Sequence, residues 1–157
     1  DYHWDIPKDK QIEVVKSQLK LANDLNMPVV FHDREAHGDS MELLKKYKPK
    51  GLLHCYSGST EMLKEVLKLG MYISLGGVVT FKNAKKLVEV AKEIPLEKIL
   101  VETDCPYMAP EPNRGKRNKS DYIEYIITKI AEIKGIDPYK ANLSFNENFN
   151  RLIKKGK

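Results

Sequence analysis

Short apolar runs recur along this chain at a steady interval, each followed by a stretch of helical periodicity. That alternation limits the fold more than any other feature. The runs at 28–31 (closing on His32), Gly51–His54, 71–75 and 99–103 begin 20 to 28 residues apart. Such spacing leaves room for one crossover helix per unit, as parallel strands require. Strands this short and apolar belong to a sheet covered on both faces. Two architectures satisfy the pattern: an open doubly wound sheet and a β/α barrel.

The helical stretches have their own signals. Ile12, Val15, Leu19, Ala22 and Leu25 form an apolar stripe over 8–25, which Asn26 and Pro28 end. Asp39 with Glu42 reads as a capping box opening a second helix. A third spans 60–69 and stops at Gly70, and a fourth is capped by Asn83 and runs to Glu93. After a Pro-rich basic loop, 118–134 is helical. Asp137-Pro138 then presents an N-cap followed by Pro at the first helical position, and Ser144 with Glu147 suggests a further cap.

Composition narrows the class. With 41% hydrophobic residues the 157-residue chain can bury a core, and its size suits a single domain over 1–157. No apolar run reaches the roughly 18 residues of a membrane span, and the charged first ten residues are no secretory signal, so a cytoplasmic protein is expected. Two cysteines, Cys55 and Cys105, make no disulfide framework. The net charge of +5 suits a phosphate-bearing partner without demanding one.

The strand ends separate the two architectures. His32, His54 and Asp104 stand at the C-terminal ends of three of the four strands, where a barrel gathers its catalytic groups around one mouth. Imidazole and carboxylate are the usual ligands of zinc, manganese or iron. Alternation puts His32 on the face of Val30 and His54 on that of Leu52, while Cys55 and Cys105 should point the other way. One such histidine alone would read as a hydrogen-bonded surface residue; three groups in one structural position point to a shared cation. Arg34, two residues past His32, is placed either for an anionic substrate or for an ion pair with Glu35 or Asp39. Glu102 shares the face of Asp104 and is placed to orient a ligand or to pair with a lysine. Arg114, Lys116, Arg117 and Lys119 crowd the loop after the last strand, where barrels often hold phosphate, although a charge run is commonly a solvated loop. His3 and His37 read as solvated loop residues.

These residues fall into segments that resemble a known family. Val30-Phe31-His32-Asp33-Arg34-Glu35-Ala36, Leu53-His54-Cys55-Tyr56-Ser57-Gly58-Ser59 and Val101-Glu102-Thr103-Asp104-Cys105-Pro106-Tyr107 resemble, in order, signatures of the TatD-like metal-dependent hydrolases. Gly76-Gly77-Val78-Val79-Thr80-Phe81, Arg114-Gly115-Lys116-Arg117-Asn118 and Asn148-Phe149-Asn150-Arg151-Leu152 are similar to that family as well. The resemblance implies an amidohydrolase-type barrel, here a partial TIM-type α/β barrel of about four parallel strand-helix units. It implies two divalent metal ions in the complete site, with Mg, Mn and Zn not distinguished. His32, His54 and Asp104 would be ligands, and Asp104 would also take the proton from the attacking water. The implied activity is ester hydrolysis, foremost by a deoxyribonuclease cutting DNA phosphodiesters, with Arg34 and Arg117 holding phosphate. Another ester, such as an aminoacyl-tRNA linkage, is the enzymatic alternative.

The family pattern opens with a His-x-His on its first strand and a Glu in a Glu-x-Gly-Leu-Asp stretch, of which Asp1-Tyr2 resembles the end. A full barrel takes about 250 residues, so the chain is expected to be the C-terminal portion of such an enzyme. Weak metal binding and little turnover by the chain alone follow. A non-catalytic assembly partner, completed by an N-terminal half or by self-association through exposed sheet edges, is the reading from another class.

Overall fold

A computed structural model describes residues 1–154. Four strands, β1 (Val29–His32), β2 (Gly51–His54), β3 (Tyr72–Leu75) and β4 (Ile99–Val101), form one sheet in the order β1-β2-β3-β4, every pair parallel. Around it run α1 (Lys8–Asp24), α2 (His37–Tyr47), α3 (Thr60–Lys68), α4 (Lys85–Glu93), α5 (Ile123–Lys134) and α6 (Pro138–Ile153). The strand-helix alternation is that of a β/α barrel cut open, with β1 and β4 left as edges.

Alternation divides the strand side chains between two environments. Phe31, Leu53, Ile73 and Ile99 face the helices and join the main core with Leu44, Leu63, Val66, Val90, Ile126 and Ile130. On the opposite face Leu52 and Leu100 pack under Leu152 of α6, with Tyr72 beside them. Val30, on that face at the open edge, is 70% exposed. Asn148, buried in α6, donates from Nδ2 to the carbonyls of Leu96 and Ile99, both at 2.8 Å, which locks α6 to the start of β4.

Several local expectations are corrected. Asp39 does not cap α2. The Asp33 carboxylate accepts from the amide of Ala36 (3.3 Å), so the helix starts at His37 and Asp39 lies in its first turn, bound to Lys8 and Tyr2. His37 is no free loop residue, because its Nδ1 lies 2.8 Å from the buried Asp33. Asn83 lies within a turn closed by Ala84 N to Phe81 O, and α4 begins only at Lys85. Ser144 sits inside α6, since the buried stripe Ala141, Phe145, Asn148 and Leu152 continues through it. The last strand ends at Val101 rather than 103. Asp137 does cap α6, accepting from Tyr139 N and Lys140 N, with Pro138 following.

Candidate metal centre

The sheet brings the strand-end residues to one rim. His32 and His54 are register partners in the β1–β2 ladder, and their rings stand 5.7 Å apart between centroids. From β4's exit, Glu102 and Asp104 reach the same point: Glu102 Oε2 lies 2.8 Å from His54 Nδ1 and Asp104 Oδ1 3.7 Å from His54 Nε2. Nδ1 of His54 thus faces a carboxylate, which only accepts hydrogen bonds, and Nε2 faces Asp104. His32 is held in a complementary way, with Nε2 2.9 Å from the Asp1 carboxylate.

Left-handed backbone recurs where the chain leaves these strands. Glu35, Cys55 and Asp104, on the segments leaving β1, β2 and β4, all adopt positive φ (58°, 46° and 52°). Non-glycine residues in that region are uncommon and are held there by their surroundings. At β4 the surroundings are visible. Asn118, 2% exposed, donates from Nδ2 to the carbonyls of Thr103 and Tyr107, both at 2.6 Å, and its own amide bonds Pro106 O. The left-handed turn at Cys55 ends strand alternation, so the thiol does not sit across the sheet as simple alternation suggests. Burial, followed by the charges of Glu102 and Asp104, pushes it up to about 12. His32 is drawn below its ordinary value by burial, then by His54 and the terminal ammonium, against the pull of Asp104 and Asp33.

The basic candidates lie further out. Arg34 is exposed and uses its carbonyl to accept from Tyr2 N; Asp39, one of its suggested partners, is bound instead by Lys8 and Tyr2. Arg117 is exposed, Arg114 stacks over Phe81 at 4.2 Å, and Lys119 pairs with Asp121 at 3.0 Å. Two residues that sequence reasoning passed over, Asn118 and Ser74, prove central to the rim. The Asn118 signal was a lone Asn inside a basic run, and that of Ser74 was a single hydroxyl in an apolar strand.

The chain resembles known proteins along its whole length. The family model described as "TatD related DNase" matches residues 1–154. YabD of Bacillus subtilis, named an uncharacterized metal-dependent hydrolase, is 45% identical over 98% of this chain and 62% of its own length. YcfH of Escherichia coli, similarly named, is 36% identical over 97% of this chain and 58% of its own. The crystal structure of YjjV, a TatD homologue from Escherichia coli, superposes with a TM-score of 0.85 at 27% identity, covering 96% of this chain and 61% of that one. The chain thus spans about three fifths of the length of these relatives.

The donors present suit a divalent cation in kind: two imidazoles held by carboxylates, with a third carboxylate opposite Nε2 of His54. They do not yet close on one, since among the described residues no three His, Cys, Asp or Glu side chains are drawn together tightly enough to hold an ion. Matched over residues 1–154 by the family model and sharing the fold of a solved homologue, this chain belongs to the TatD-related DNase family.

Proposed function

We propose that this single-domain chain is part of a cytoplasmic metal-dependent hydrolase that cleaves phosphodiesters, foremost those of DNA. The observation that carries the reading is the placement of His32, His54 and Asp104 on one rim, at the strand ends where β/α barrels keep their chemistry. His32, His54 and Asp104 would hold a divalent cation, which when bound acidifies water and draws charge from a phosphoryl oxygen. Asp104 orients the attacking water and accepts its proton. Glu102 steadies the His54 ring and Asp1 that of His32. The guanidinium groups of Arg34 and Arg117 bind the flanking phosphates.

The test is hydrolysis of labelled DNA by the full chain with added Mn²⁺, beside an aminoacyl ester. Slow, cation-dependent DNA cleavage that disappears in Asp104→Asn is expected. Cleavage that persists in that variant contradicts the role of Asp104, and ester cleavage without DNA cleavage contradicts the substrate.

The open edge at β1 and the three-fifths span favour a second reading, an assembly partner completed by an N-terminal half. A cation-loaded chain that turns over neither substrate would replace the catalytic reading with this one.

A further inference from the structure

Strand β3 contributes no candidate ligand, yet it carries a buried polar side chain at the rim. Ser74 is 2% exposed and lies on the same sheet face as His54 and Glu102. Its hydroxyl donates to Glu102 Oε2 and accepts from the amide of Cys55 at 3.2 Å. Its carbonyl accepts from Tyr56 N at 3.0 Å. One residue therefore grips both the turn that follows His54 and the carboxylate that holds the His54 ring. Glu102 is tied to the sheet by its amide, which donates to Leu75 O at 3.3 Å. Both donors converge on Oε2, while Oε1 is buried with no partner. A buried polar atom without a partner is costly. Glu102 nonetheless keeps this orientation, which places Oε2 against His54 Nδ1.

We propose that Glu102, held by Ser74, is a positioning residue that fixes His54 in the Nδ1–H tautomer, with its Nε2 lone pair towards Asp104, before any cation arrives. The inference deepens the reading of the rim as a cation site and rests on it for its purpose, though not for its geometry. Partners that orient a ligating histidine typically change metal affinity by about 10–100-fold when removed. Ser74 and Glu102 would act through His54 and touch neither cation nor substrate.

The test uses the full chain without metal, at about pH 8.5 where an ordinary imidazole is neutral, and reads the ¹⁵N shifts of the His54 ring. The wild type and Glu102→Gln, which keeps an acceptor at the same point, are expected to show the proton on Nδ1. Glu102→Ala is expected to move it largely to Nε2, and Ser74→Ala, which leaves Glu102 in place should the first variant fail to fold, to give a mixture. Co²⁺ affinity should fall about 10–100-fold in Glu102→Ala and stay within a few-fold in Glu102→Gln. A wild-type ring protonated on Nε2, or a tautomer unmoved in Ser74→Ala and Glu102→Ala, overturns the proposal. A chain that binds no Co²⁺ would defeat the cation site alone, since the tautomer still decides the role of Glu102. Tight Co²⁺ binding with an unmoved tautomer would defeat Glu102 alone.

Discussion

His32 and His54 meet because Val29 and Gly51 do: the same parallel register that pairs the strand starts pairs the two histidines at the other end. Gly51 is required at that start. A Cβ there would overlap the Val29 carbonyl oxygen and stand 3.0 Å from its amide nitrogen, both backbone atoms that cannot swing aside. Gly51→Ala should therefore cost about 1–3 kcal/mol, as overpacking does, by widening the base of the β1–β2 pair. Urea unfolding checks this, and an unchanged midpoint would show that the strands separate without strain.

Asn118 holds the loop that presents Asp104. Replacing it with Ala leaves the carbonyls of Thr103 and Tyr107 without their shared donor inside a closed turn. A loss of about 1–3 kcal/mol is expected, with faster amide exchange confined to residues 103–118. Uniform loss of protection across the sheet would instead mark Asn118 as a general core residue.

Cys55 and Cys105 should differ in reactivity. With its thiol pushed up to about 12, Cys55 stays protonated at neutral pH, whereas Cys105 is exposed. Iodoacetamide at neutral pH is expected to label Cys105 first and Cys55 far more slowly, as mass spectrometry would read. The linkage has a definite sign. Since the folded value lies above the unfolded one, the folded state holds the proton more tightly, and this contribution to stability is complete below about pH 9 and lost as pH rises towards 12. Equal labelling of both cysteines at neutral pH would contradict it.

Much of this was legible beforehand, for a physical reason. Strand period and crossover spacing located all four strands, because a parallel buried strand must be apolar and must be followed by a helix. That His32, His54 and Asp104 come to one rim was legible because strand ends are fixed points of such a fold. The corrected helix starts have separate causes: Asp39 is taken by Tyr2 and Lys8, Ser144 is enclosed within a longer helix, and Asn83 lies in the turn before α4. Asn118 and Ser74 were not legible, since each matters through carbonyls, amides or carboxylates brought near only by folding.

The outer edge of β1 predicts association. Val30, Leu21, Leu25 and Met27 are exposed beside a groove of about 580 Å³ between α1 and that edge. Unpaired parallel edges with apolar flanks recruit further strands. Sedimentation velocity should show the mass of the chain rising with concentration, and Val30→Lys should suppress the rise. A wild type that stays monomeric throughout would show that the edge is protected. Among the described residues no helix is long and apolar enough to cross a membrane.

The most direct test of the account is a Co²⁺ titration of the full chain followed by visible absorption, with His54→Ala and Asp104→Asn alongside. Weak, saturable binding with a ligand-field spectrum is predicted for the wild type, with affinity at least about tenfold lower, ~1.4 kcal/mol, in either variant. A spectrum unchanged by both substitutions, or no spectrum in the wild type, would contradict the claim that this rim holds a cation.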